Sequence, residues 1–416
     1  MLLWNIIPYL NLCFGSKLSN MKILYSSSVC SNNLLNYLYN TSMKKPMYSI
    51  QKFHWLLLKG FVKNDVDVQT VSAIPISSQN HKRRIWQITS EIEDGIHYRY
   101  IPFLNFPFIR QIGIFIYSFL YTLFWGMRRR KGKRLICDVL NISVCLGSLI
   151  ASKLIGLKSV GIVTDMPGLM VGGSKSFLSN LITQINKSYL SSFDYYVFLT
   201  EQMNLVLNIH KRPYIVMEGL VDVDMQITPH AEWTPDMNRN IIYAGGLYEQ
   251  YGVKMLIEAF MQTSFEDVSF SIYGMGEMEQ QIKEYEKKDP RIHYYGAVPN
   301  SKVVEEELKA TLLINPRPTH EEFTQYSFPS KNMEYMVSGT PVLTTKLPGM
   351  PVEYYPYVFL FDEETVEGYK KKLDEVLLLS NQNLSQKGQK AKRFVLDWKN
   401  NIKQALRIKQ LINFVS

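Results

Sequence analysis

Residues 326–343 read YSFPSKNMEYMVSGTPVL. A Pro-bearing turn leads into a short helical stretch, and Gly339, Thr340 and Pro341 close it, because glycine suits a helix exit and proline cannot continue one. The β-branched run at 341–345, PVLTT, then reads as a strand. Lys331 and Glu334 are three residues apart, so one helical turn brings the ammonium and the carboxylate to one face. A helix that feeds directly into a strand belongs to a parallel α/β sheet. A cation beside a carboxylate suits a ligand with both negative charge and hydroxyls.

The same alternation extends in both directions. Upstream in the second half, strands are expected at 241–246 (IIYAGG), 268–274 (VSFSIYG) and within IHYYGAV and TLLINPRP, separated by helices at 253–262, 277–287 and 303–309. In the first half, strands are expected at 22–28, 67–73, 135–141, 159–164, 195–199 and 214–217. Helices at 31–39, 108–129, 144–155 and 174–192 separate them. Short β-branched runs alternating with helical periods are the mark of stacked βα units. ITPHAEWTPDMNRN is the linker between two such halves. The expected architecture is therefore α/β: two Rossmann-like domains facing across a cleft at the carboxyl ends of both sheets, where ligands bind. The expected divisions are an N-terminal extension at 1–20, a first domain at 21–225, a second at 226–395, and a final helix at 396–416 packing back on the first domain.

Composition agrees with a folded two-domain protein. The 416 residues exceed what one core usually organises, with 46% hydrophobic and 20% charged residues. The formal charge of +9 suits an anionic partner. Much of the excess lies in Arg128, Arg129, Arg130, Lys131, Lys133 and Arg134, directly after the apolar run 112–125, and reads either as a membrane-surface contact or as a solvated helix end. The basic residues are not interleaved with aromatics along one face, which argues against nucleic acid. Four cysteines without CxxC spacing fit a reducing cytosol, and seven histidines without HxH or HExxH spacing offer no metal site. The apolar stretch 2–14 lacks a leading basic region and is too short to span a bilayer; Met21, just before the first strand, is an alternative start.

Strand-then-glycine turns recur at YAGGLYEQYGV (243–253) and YGMGEMEQ (273–280), where glycine lets a ligand approach backbone N–H groups and the next helix offers its positive end. Neither GxGxxG nor a P-loop is present. Taken in order with LLINPRP and FPSKNMEYMVSGTPVL, these elements resemble the retaining, nucleotide-sugar-dependent glycosyltransferases of family 4, which have the GT-B fold. The resemblance covers most of the chain from Met21 and is clearest over 241–343. Within the family it is most similar to enzymes that build bacterial capsule or exopolysaccharide repeat units, which also carry NPRP, FPSK and EYM.

The resemblance implies roles. Glu334 matches the second glutamate of the family's E-x7-E motif, which accepts hydrogen bonds from the donor ribose. The first glutamate falls at Tyr326, so Glu321 or Glu322 is left to supply that contact. Relatives carry Arg and Lys where this chain has Gly246 and Tyr251, and Arg317 and Lys331 are the expected substitutes at the diphosphate. Gly245 and Gly246 are expected beside the diphosphate, Gly274 and Gly276 beside the base, and Ser330 at the helix start. Asp165, after the strand ending IVTD, is the first-domain candidate for the transferred sugar or the acceptor, with capping of the following segment as the alternative; Glu218 is a weaker one. The implied catalytic set is Asp165, Lys331 and Glu334. The implied donor set is Gly245, Gly246, Gly274, Gly276, Arg317, Glu322, Tyr326, Ser330, Lys331 and Glu334.

No cofactor and no metal are expected: VDVDMQ holds Asp222 and Asp224 but sits at the domain exit. The expected partners are a nucleotide-diphosphate sugar and a saccharide or undecaprenyl-diphosphate-linked acceptor at the cytoplasmic face of the membrane. A non-catalytic GT-B scaffold of a polysaccharide assembly complex is the competing reading, kept open by Tyr326, Gly246 and Tyr251.

Overall fold

The computed structural model of the protein describes residues 21–128, 131–166, 188–224 and 239–414. The expected extension at 1–20, the domain boundary at 225/226 with its linker, and most of the expected 174–192 helix lie outside them.

The first part holds strands β1 (Lys22–Ser27), β2 (Asp67–Ser72), β3 (Ile85–Trp86), β4 (Glu91–Glu93), β5 (Ile96–Tyr98), β6 (Phe103–Leu104), β7 (Lys133–Asp138), β8 (Ser159–Val163), β9 (Tyr195–Phe198) and β10 (Tyr214–Val216). Eight of them form one sheet in the order β10-β9-β8-β7-β1-β2-β5-β4, parallel except where β4 returns antiparallel on β5. β3 and β6 pair as a separate antiparallel ribbon. Every residue of β8 and β9 is buried, as expected for central strands covered by helices on both faces.

The second part holds β11 (Arg239–Ala244), β12 (Val268–Tyr273), β13 (Ile292–Gly296), β14 (Leu312–Asn315), β15 (Val342–Thr344) and β16 (Phe359–Leu360). They form a wholly parallel sheet in the order β13-β12-β11-β14-β15-β16. One apolar cluster lies around Ile257, Phe260 and Phe270, and a second around Met333, Met336 and Val395. GT-B architecture, two Rossmann-like α/β sheets, is what the structure has.

The chain crosses between the sheets twice, near 221 and near 400, and the two crossings are bonded. Val221 N–H donates to Lys399 O at 3.0 Å, and Asn401 N–H donates to Val221 O at 2.9 Å. The helix Asn401–Phe414 then packs on Tyr48–Lys63, adding Ala405, Ile408 and Ile412 to the core of the first sheet. Gly60 makes that approach possible, since a Cβ there would sit 2.1 Å from Asn401 O. Lys399 anchors the crossing through ion pairs to Glu218 at 3.0 Å and Glu353 at 2.6 Å. Glu218, the weaker site candidate, also accepts from Tyr354 Oη at 3.2 Å, so this buried carboxylate anchors the crossing between the sheets.

Within the basic run Arg128 and Lys131 are exposed, and Lys133 departs from both expected readings. Lys133 is buried, with Nζ donating to the carbonyls of Trp125 and Arg128, so it closes the end of the helix Ile109–Met127 instead of meeting solvent. Arg129 and Arg130 lie outside the described residues.

Candidate donor site at the carboxyl ends of the second sheet

Three loops leave adjacent strands at one edge of the second sheet: Gly245–Tyr248 after β11, Gly274–Met278 after β12, and 316–329 after β14. The first two are zipped together by their backbones. Leu247 N–H donates to Met275 O at 3.0 Å, and Met278 N–H donates to Leu247 O at 3.1 Å. Gly274 has φ +138°, and its Cβ would lie 1.8 Å from Gly245 O; a Cβ at Gly276 would lie 2.2 Å from Leu247 O. These two glycines are thus demanded by loop-on-loop contact. Gly245 and Gly246 differ, since added Cβ atoms would meet only the tyrosine rings of 243, 248 and 251. Glu279 Oε1 accepts from Gly276 N–H at 3.1 Å, and Glu277 Oε1 from Glu249 N–H at 3.3 Å, so both acids tie the loops.

The third loop delivers Arg317. Its backbone is clamped by Thr345 Oγ1 donating to Arg317 O at 2.5 Å and Tyr369 Oη donating to Pro316 O at 3.0 Å. The guanidinium lies over the rings of Tyr251 at 4.6 Å and Phe323 at 5.5 Å. Among the described residues Arg317 has no ion pair, and its Nε is buried without a hydrogen-bond partner. Burial lowers its pKa, with the phenols of Tyr251 and Tyr243 opposing. Tyr243 Oη donates to Gly246 O at 2.7 Å, so Arg317, the two tyrosines and the Gly245-Gly246 turn form one cluster. At Tyr251, where the family resemblance implies a cation, a ring therefore supports a cation from the loop after β14.

The helix Ser330–Ser338 begins at this cluster. Pro329 precedes it, no side chain caps its first N–H groups, and Ser330 is exposed there. Tyr335 fixes its position: Oη accepts from Ala244 N–H at 2.9 Å and donates to Ala244 O at 3.3 Å, just before Gly245. Asn315 Nδ2 donates to Asn332 Oδ1 at 2.7 Å, leaving Asn332 Nδ2 buried without a partner.

Lys331 and Glu334 are not the exposed pair that helical spacing alone allows. Lys331 Nζ lies 2.9 Å from Glu334 and 3.4 Å from Glu307, with the three side chains 28%, 17% and 1% exposed. Burial would lower the lysine, but Glu334 and Glu307 outweigh it and raise it. For Glu334 burial is overcome by Lys331 and Lys52, so its carboxyl is held below its usual range. Glu307 goes the other way: burial pushes it up to about 7, with Lys331 opposing. Sequence reading missed Glu307. Its signal was an acid four residues after buried Val303, on the inner face of the helix Asn300–Lys309.

The remaining candidates are spread around the cleft. Glu322 is exposed in the turn Glu322–Gln325, Glu321 is part-buried beside His320, and Tyr326 packs against the first-domain core. The neighbouring backbone joins the domains, with Thr200 Oγ1 donating to Gln325 O at 3.1 Å and Gln202 Nε2 to Pro348 O at 2.6 Å. Asp165 follows β8, part-buried; burial raises its carboxyl, and Met166 N–H donates to it at 2.8 Å. The segment it was considered to cap lies outside the described residues. Asp224 pairs with Lys63 at 3.3 Å, and among the described residues no group of acids, histidines or cysteines is arranged to hold a metal.

Residues 227–393 match the family model described as glycosyl transferases group 1. No curated protein matches the sequence. Among solved structures, Anabaena HepE in complex with UDP and glucose is similar over 95% of this chain and 100% of its own, at TM-score 0.60 and 14% identity. The lipopolysaccharide outer core galactosyltransferase WaaB in its apo form is similar over 95% and 100%, at TM-score 0.59 and 15% identity. An Escherichia coli trehalose-6-phosphate protein bound with UDP-2-fluoro glucose is similar over 94% and 98%, at TM-score 0.62 and 9% identity. The chain has the GT-B fold, and the part of it that matches the group 1 glycosyltransferase model is the second sheet with its helices.

Proposed function

We propose that the protein transfers a sugar, with retention, from a nucleotide diphosphate to a saccharide or an undecaprenyl-diphosphate-linked saccharide at the cytoplasmic face of a membrane, in capsule or exopolysaccharide assembly. The observation that carries this reading is Arg317: a part-buried guanidinium whose buried Nε has no partner and which no carboxylate pairs among the described residues, shelved on Tyr251 and Phe323 beside the Gly245-Gly246 turn. A diphosphate would supply the missing charge and hydrogen bonds. The uncapped start of the helix at Ser330 and the N–H of Gly246 complete the anion seat, the Gly245 N–H being held by Tyr273 O at 3.0 Å.

Glu334 takes the ribose hydroxyls. Lys331 serves it by occupying one oxygen and keeping the carboxylate ionised, an acceptor at neutral pH. Gly274 and Gly276 shape the loop beside the base. In the transfer, the acceptor hydroxyl oxygen bonds to the anomeric carbon on the face from which the diphosphate departs. The bond to the diphosphate breaks with its electron pair on the leaving oxygen, and that oxygen takes the hydroxyl proton. The protein's share is to stabilise charge developing on the diphosphate, which falls to Arg317 and the backbone donors. Asp165 orients the transferred sugar or the acceptor from the first domain, and Glu322 or Glu321 stands in for the glutamate replaced by Tyr326.

No metal is required in this scheme, so full turnover in EDTA is expected, and a strict Mn²⁺ requirement would sink that part. The reading as a whole is tested by titrating UDP and other nucleoside diphosphates in a calorimeter, then screening nucleotide sugars for hydrolysis or transfer. Glu334→Ala is expected to lose donor binding with an intact fold. A wild-type chain that binds no nucleoside diphosphate would be a scaffold.

A further inference from the structure

The helix Ile109–Met127 is built inside out. Its buried side carries Ile114, Ser118, Thr122 and Gly126. Small groups are required there: Thr122 Oγ1 donates to Ser148 Oγ at 3.1 Å, and a Cβ at Gly147, on the helix Ile142–Leu154, would lie 2.3 Å from Ser118 Oγ. The large apolar residues point away. Ile109, Ile112, Ile116, Leu120, Phe124 and Met127 are between 43% and 63% exposed, and at 100° per residue they fall within an arc of about 120°. Phe108, just before the helix, has φ +62° and is 82% exposed, a bulky side chain held in the left-handed region with its ring outward. A water-facing helix has the opposite pattern. Together with Phe108 these make seven exposed large apolar side chains, the kind of contiguous patch that soluble monomers rarely leave bare.

Charge surrounds this stripe with one sign. From Gly95 to Cys137 there is no Asp or Glu, against eight Lys or Arg. At the start of the helix, exposed Arg83 and Arg84 lie close by: β3 pairs with β6, and Arg84 sits 5.0 Å over the Phe106 ring. A cavity of about 660 Å³ opens beside the same two arginines. At the far end Arg128 and Lys131 are exposed. Among the described residues no helix is long and apolar enough to cross a membrane.

We propose that the outer face of Ile109–Met127 lies in the interfacial plane of an anionic lipid bilayer, its apolar stripe among the upper acyl chains. Arg83 and Arg84 at one end, and Arg128 and Lys131 at the other, then bind headgroup phosphates. This assigns a face to the membrane contact proposed above and does not depend on the donor site, because vesicle binding is read without turnover.

The test is co-sedimentation of the full chain with phosphatidylglycerol-containing and pure phosphatidylcholine vesicles, at low and high salt. Wild-type protein is expected to bind the anionic vesicles. The double variant Ile116→Glu/Phe124→Glu, at exposed positions, should bind at least about tenfold more weakly with an unchanged melting curve. The pair Arg84→Glu/Arg128→Glu should lose binding at low salt. Leu205→Glu, at an exposed apolar residue on another helix, should not change it. Retained binding by the Ile116/Phe124 variant overturns the proposal. So does a wild-type chain that ignores anionic vesicles and dimerises in a way that the same variant abolishes.

Discussion

Arg317→Met tests the donor site because its two consequences have different signs. Without ligand, the variant loses cation–π contacts to Tyr251 and Phe323, roughly 0.5–1 kcal/mol each. It also relieves a buried, unpartnered Nε, a penalty of about 1–3 kcal/mol. These largely offset each other, so apo stability should change by no more than about 2 kcal/mol. With ligand, a charge-assisted bond to phosphate worth about 1.5–3 kcal/mol is gone, which raises the UDP dissociation constant between ten- and about 150-fold. Calorimetric titration reads the affinity, and melting with and without UDP gives an independent check. UDP at a hundred times its wild-type dissociation constant should stabilise the wild type by about 2.7 kcal/mol and the variant by far less. An affinity within about threefold of wild type would refute the assignment. Collapse of the apo protein would show instead that Arg317 is a structural cation.

Two further outcomes follow from the same site. Glu307 holds its proton more tightly folded than unfolded, rising from 4.5 to about 7. The stability this contributes is fully present below about pH 4.5 and lost as pH rises through about 7, and at ~1.4 kcal/mol per unit it amounts to about 3 kcal/mol. Glu307→Gln removes that dependence, so its melting temperature should stay flatter than wild type between pH 5 and 8; parallel curves would contradict the raised carboxyl. Gly274→Ala places a methyl 1.8 Å from Gly245 O at φ +138° and should cost about 3 kcal/mol or more and weaken nucleotide binding, whereas Gly246→Ala, which meets only tyrosine rings, should melt within about 1.5 kcal/mol of wild type.

The parts of the fold that sequence reading reached are those with strong local signals. Buried parallel strands such as β8, β9 and β14 are continuous apolar runs, and glycine or proline punctuates their exits. What it missed lacked such a signal. The pairs β3 and β6 are two residues long, too short for a period, and the helix Tyr48–Lys63 mixes buried Gln51 and His54 with its leucines. That polar content is explained only in three dimensions: His54 Nε2 lies 3.1 Å from buried Asp138, and Gln51 Oε1 accepts from Cys30 N–H at 2.9 Å.

The sequence by itself determined the α/β alternation, the glycine turns and the turn-spaced Lys331 and Glu334, because each rests on neighbours within a few residues. Tertiary structure decided what those residues are for. Glu307 reaches Lys331 from 24 residues away and makes the pair a part-buried triad. Arg317 meets Tyr251 only because β14 lies beside β11, and the apolar stripe of Ile109–Met127 faces outward because the Ile142–Leu154 helix packs closely on Ser118 and Thr122 of the opposite face. Local chemistry names an element; partners distant in the chain set the charge, burial and orientation of its side chains.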